Sequence, residues 1–132
     1  MEIKLFCEVT GSRPTISVLV DQQPVASTVD WTPDKYGNIS ITIIADVLER
    51  STVSICVDEM SNSSKFNIVE MIADDVLFGI VTFMCATVEG KLSTQLNNNG
   101  IINIELKSPS WSYWCAKFNQ FNYKDFPFGS AN

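Results

Sequence analysis

Two tryptophans and a tyrosine fall between Ser108 and Phe118, in the stretch SPSWSYWCAKF. Rings at this spacing can stack on a sugar or a partner, or they can close the end of a hydrophobic core. On an extended chain Trp111 and Tyr113 share one face and Trp114 takes the other. On a helical turn after Pro109, Trp111 and Trp114 become neighbours. Trp114 is read as the plug, and Trp111 and Tyr113 as a candidate contact surface. Trp31 and Tyr36, in the loop DWTPDKYGN, form a second candidate patch. Phe126 and Phe128 flank Pro127 near the end of the chain and form a third. Two phenylalanines left in water forgo roughly 1.5–3 kcal/mol each, so this segment is expected to lie against its own domain or a neighbour.

Other chemistry is missing. The chain has no histidine, which removes Ser-His-Asp and Cys-His nucleophile activation and every histidine-bearing metal site. It has neither a Walker-type nor a dinucleotide-type glycine loop. Two carboxylates could in principle hydrolyse a glycosidic bond, but only at a fixed separation and with one pKa raised. Asp74 and Asp75 are sequence neighbours, and on an extended segment they point to opposite faces. No enzyme is expected and no cofactor is implied. Acidic pairs occur at Asp30 with Asp34, Asp58 with Glu59, and Asp74 with Asp75. Calcium takes about six to eight oxygens, and no EF-hand spacing is present. Asp74 and Asp75 are carried as weak calcium candidates, against the plainer reading of solvated strand ends.

Cys7, Cys56, Cys85 and Cys115 form no C-x-x-C pair. With no secretion signal visible, they are read as reduced thiols packed as small hydrophobes. The formal net charge is -6, which repels phosphate backbones and anionic membranes. Neither nucleic acid nor a membrane is therefore expected as a partner. No apolar run approaches the roughly 18 residues of a membrane span.

These residues need a scaffold, and alternation supplies one. In EIKLFCEV, residues Ile3, Leu5, Cys7 and Val9 fall on one face. NISITII does the same with Ile39, Ile41 and Ile43, and STVSICVD with Val53, Ile55 and Val57. TISVLV, PVASTV, FNIVEMIA, GIVTFMCATV and IINIELK complete the series. Asp21 to Pro24 reads as a turn, Asp30 to Asn38 as a loop, and Asn98-Asn99-Gly100 as a turn before the last strand. ADVLER is long enough for one helical turn. The expectation is an all-β antiparallel sandwich, jelly-roll-like, of about eight strands. Residues 1–118 form the domain, and 119–132 form a C-terminal tail packed on it or on a neighbour.

NISITII, STVSICVD, FNIVEMIADDV and INIELKSPSWSYW together resemble small carbohydrate-binding β-sandwich modules, such as the calcium-dependent xylan-binding ones. The pattern also resembles module-sized proteins of tailed bacteriophages, in which a strand and an Asp-Asp or Asp-Gly pair precede a long loop and a Pro-x-aromatic-x-x-Trp-like close. Asp74, Asp75, Pro109, Trp111 and Trp114 carry that likeness, which spans about residues 15 to 115. The calcium loops of the xylan-binding modules have no residue-by-residue counterpart, so no calcium ligand is carried over. The resemblance implies a noncatalytic structural or attachment component of a phage particle, either a capsid decoration or a tail-associated subunit. Such a protein is made in the host cytoplasm, resides in the virion, and contacts other virion proteins or its own copies. A carbohydrate-binding module that stacks glycan on its aromatic platform is the alternative. A phage-encoded inhibitor of a host protein is the third reading.

Overall fold

The computed structural model describes residues 2–46, 51–73, 76–77 and 86–106. Twelve strands run through them: β1 (Glu2–Thr10), β2 (Thr15–Val20), β3 (Gln23–Val25), β4 (Ser27–Asp30), β5 (Ile39–Ile44), β6 (Ser51–Asp58), β7 (Lys65–Ala73), β8 (Val76–Leu77), β9 (Ala86–Val88), β10 (Lys91–Leu92), β11 (Gln95–Leu96) and β12 (Gly100–Leu106). They form two six-stranded sheets. The first runs β11-β7-β1-β5-β4, with β8 also on β7, and the second runs β10-β9-β12-β6-β2-β3. Every pairing is antiparallel. The all-β sandwich expected from alternation is what forms. The strands beyond the expected eight are pieces of two or three residues, too short to show a period.

The inner faces follow the alternation. Ile3, Leu5 and Cys7 of β1 are buried with Ile39, Ile41 and Ile43 of β5 and Phe66, Ile68 and Met71 of β7. Opposite them lie Val18 and Val20 of β2, Val53, Ile55 and Val57 of β6, and Ile102, Ile104 and Leu106 of β12. These side chains belong to one continuous core. Each of the aliphatic and aromatic ones contributes about 1.5–3 kcal/mol by leaving water. The β1–β7 register shifts between Phe6 and Cys7, which face Glu70 and Ile68. Val69 is thus the extra residue of a β-bulge, and the bulge keeps Ile68 and Met71 both inward.

Two expectations change in detail. PVASTV does not form one strand. Its first part ends β3 at the edge of the second sheet, and after Ala26 the rest becomes β4 at the edge of the first. Pro24 sits opposite Leu19 in β3, an edge position where a missing N–H costs little. The Asn98-Asn99-Gly100 segment is not a hairpin turn either. β11 pairs with β7 and β12 with β6, so the bend carries the chain from one sheet to the other. A Cβ at Gly100 would lie 2.9 Å from Leu96 Cδ2, and the crossing uses the missing side chain.

Of the expected segments, 47–50 within ADVLER, 79–85 within GIVTFMCATV and the tail 119–132 lie outside the described residues.

Candidate functional site

Antiparallel pairing gathers several loops at one end of the sandwich. Thr10 faces Lys65, Thr15 faces Asp58, and Cys7 faces Ile39. The loops 11–14, 31–38 and 59–64 therefore leave the sheets on the same side. Asn99 joins them: its Oδ1 accepts the Met60 N–H at 2.9 Å.

Loop 31–38 is held by its own aspartates. Asp30 Oδ1 accepts the Thr32 N–H at 3.0 Å. Asp34 Oδ1 accepts the N–H groups of Tyr36 at 2.8 Å and Asn38 at 3.0 Å. The Asp34 N–H donates to the Asn38 carbonyl and the Gly37 N–H to the Asp34 carbonyl. Gly37, at φ 82, supplies the left-handed residue that this closed turn requires. Both aspartates thus brace the backbone through Oδ1, in the role that Asp commonly takes in turns.

The two aromatic candidates in this loop differ in environment. Trp31 is half-buried and packs against the core, with the Arg13 guanidinium 5.1 Å from its ring centroid. A cation thus covers one face of a ring that also packs against the core. Tyr36 is 75% exposed, with Lys35 Nζ 5.1 Å from its centroid. A phenol ring on a braced loop can stack on the apolar face of a sugar while its hydroxyl stays wet. Sequence reasoning missed Arg13 and Lys35. Lys35 adjoins Tyr36 in the chain, so a local signal existed for it. Arg13 reaches Trp31 only because the β1–β2 and β4–β5 loops share one end.

Trp111, Tyr113, Phe126 and Phe128, the plug Trp114, and the calcium candidates Asp74 and Asp75 all lie outside the described residues. Cys85 and Cys115 do also. Cys7 and Cys56 are free thiols. Cys7 lies on the inner face of β1, where burial pushes its pKa well above the ordinary thiol value.

No protein-family model matches the sequence, and no curated protein matches it. Among solved structures, the chain is similar to vCBM60 in complex with galactobiose, at 10% identity and a TM-score of 0.58. That match covers 80% of this chain and 100% of the other. It is also similar to a selenomethionine form of vCBM60, at 11% identity and a TM-score of 0.55, over 78% of this chain and 88% of that one. The second structure is described with a circular permutation that links two families of calcium-dependent carbohydrate-binding modules. At these identities the likeness establishes the fold: a sandwich of the carbohydrate-binding-module type.

The calcium dependence of those families calls for a fit test. Among the described residues, no three acidic, histidine or cysteine side chains converge on a point that could hold a metal ion. Asp30 and Asp34, the acidic residues of the aromatic loop, each turn Oδ1 to backbone N–H groups. The described residues do not fit a calcium ion.

Proposed function

We propose that the chain is a noncatalytic carbohydrate-binding module. The observation that carries this reading is the fold likeness, which spans the whole length of a module that binds galactobiose. The exposed ring of Tyr36 supports it, since stacking on a sugar needs an accessible aromatic face held at low entropic cost. Sequence patterning puts a phage particle first, and the fold likeness reverses that order. No observation among the described residues favours a virion location or a host-protein target.

Tyr36 is the residue proposed to stack on the glycan. The Asp34 turn presents it, and Arg13 with Trp31 anchors the neighbouring part of the loop. Calorimetry with galactobiose, together with affinity electrophoresis through galactan and xylan gels, tests the reading. Saturable binding to a neutral glycan is expected, weakened about fivefold by Tyr36→Ala, as the loss of one stacking contact implies. Xylan is expected to retain the chain weakly or not at all. Absence of binding to every neutral polysaccharide and oligosaccharide offered overturns the reading.

A further inference from the structure

The outer face of the second sheet carries a polar depression. An open groove of about 270 Å³ is lined there by Gln22, Thr52, Thr87, Asn103 and Glu105. The inward turn of Val53, Ile55, Ile102, Ile104 and Leu106 forces Thr52, Ser54, Asn103 and Glu105 outward. Register then aligns them: Thr52 faces Glu105, Ser54 faces Asn103, and Asn103 faces Thr87. The groove therefore crosses β6, β12 and β9. It tends toward the end opposite loop 31–38, because its rim includes the β2–β3 turn.

Two features fix its geometry. Ser54 is 2% exposed, and its hydroxyl donates to Asn103 Oδ1 at 2.6 Å. That bond locks the Asn103 carboxamide and commits one of its ends. Whichever end meets Ser54, the other faces out, and no described residue bonds to it. The second feature is Asp21. Its N–H donates to the Thr52 carbonyl at 2.9 Å, and its Oδ1 accepts the Thr52 N–H at 2.8 Å. The side chain extends the β2–β6 ladder by one step and pins the turn to β6. Asp21 and Gln22 stand at φ 50 and 69, a left-handed pair that most side chains avoid. The pinned turn sets Gln22 at the groove rim.

The lining selects a ligand class. It offers two hydroxyls, two carboxamides and one carboxylate, with no cation among them. A phosphate, sulfate or uronate would meet Glu105 with nothing to neutralise it. An apolar ligand would strip water from the amides without replacing their hydrogen bonds. Sugar hydroxyls both donate and accept, and so can satisfy every one of these groups. We infer that this groove is a second binding seat for a neutral glycan, separate from the Tyr36 loop. The inference rests on the glycan reading of the fold. Asn103 and Thr87 contact the sugar, and Asp21 acts as a positioning residue for Gln22.

Amide chemical shifts of the full chain, followed by NMR during additions of galactobiose, cellotetraose, xylotetraose and digalacturonate, provide the test. Shifts at Thr52, Thr87, Asn103 and Glu105 are expected with at least one neutral sugar. Asn103→Ala should weaken that binding about tenfold, the upper end for one lost hydrogen bond, while Asn67→Ala on the other sheet leaves it unchanged. Thr87→Ala, at the rim, gives the same readout should Asn103→Ala not fold. Shifts confined to residues 31–38, with Asn103→Ala and Thr87→Ala both binding normally, overturn the groove and leave the glycan reading standing. Tighter binding of digalacturonate than of the neutral sugars overturns the assignment of ligand class. No shift anywhere with any of the sugars overturns both readings.

Discussion

The outer faces of the two sheets come from the same alternation, yet they spend their polar groups differently. On the first sheet a groove of about 240 Å³ is lined by Glu8, Thr10, Lys65, Asn67 and Gln95. Its central amide is used at both ends: the Thr94 hydroxyl donates to Asn67 Oδ1 at 2.8 Å, and Asn67 Nδ2 donates to Glu8 Oε1 at 3.2 Å. Lys65 and Glu8 place both signs of charge there. On the second sheet, among the described residues, Asn103 is bonded at one end only, beside hydroxyls and one carboxylate. On the first face the asparagine has both ends of its amide engaged. The other holds a rigid amide with capacity to spare. The two grooves have similar size and both contain an asparagine, so what separates them is the bonding of that amide.

One core supports both faces. Phe66→Ala in the first sheet and Ile104→Ala in the second remove side chains that are 0% and 1% exposed. Losses of about 3–5 kcal/mol and about 2–5 kcal/mol are expected from urea unfolding. Each variant should melt in one transition seen alike by probes on either sheet. Separate transitions would mean that the two faces belong to independent units.

The thiols sharpen the contrast, because Cys7 faces inward on the first sheet and Cys56 outward on the second. Burial raises the Cys7 pKa in the folded protein above its ordinary value of 9.0. Above that value the unfolded thiol loses its proton while the folded one keeps it, so the unfolded chain binds fewer protons. Stability is therefore complete below pH 9.0 and falls as pH rises through and beyond it, by about 1.4 kcal/mol per pH unit. Urea midpoints between neutral and alkaline pH should show this slope, and Cys7→Ala should flatten it. Iodoacetamide followed by peptide mass spectrometry should label half-buried Cys56 well before buried Cys7.

Asn67→Ala and Asn103→Ala compare the faces directly. Each removes the acceptor of a buried hydroxyl, that of Thr94 or Ser54, and each should cost about 1 kcal/mol in urea unfolding. The difference is expected in glycan binding, which only Asn103→Ala should weaken. The smallest effect is assigned to Asp21→Ala. It should cost about 0.5–1 kcal/mol and speed hydrogen exchange at the Thr52 amide. Unchanged exchange would show that the turn holds to β6 without the Asp21 carboxylate.

Much of this scaffold is legible in the chain, and much of the candidate site is not. Ile3, Leu5 and Cys7, or Val53, Ile55 and Val57, announce a buried strand face because the period of two is local. The same period implies that Asn103 and Glu105 turn outward between Ile102, Ile104 and Leu106, a signal available in IINIELK. What the period lacks is any statement of who lies across the strand. Ser54 and Asn103 are 49 positions apart, and only their register makes one fix the other. Tyr36 could be marked as a loop aromatic from its neighbours Pro33, Asp34 and Gly37. The cation over Trp31 could not be, since Arg13 reaches it through a shared end of the sandwich.

The inward and outward faces, the all-β class and the absence of histidine chemistry can be read along the chain, because each depends on residue type or on spacing within one strand. Tertiary structure alone decided which sheet each strand joins. PVASTV divides at Ala26 between two sheets, and Asn98 to Gly100 crosses between them instead of closing a hairpin. Both segments read locally as ordinary strand and turn. β3 stays with its neighbour β2 and β4 goes to β5, whereas β11 and β12 pair with β7 and β6. Apart from β3, these pieces find partners beyond the reach of a tight turn, and the energy that selects them is burial in a core common to both sheets.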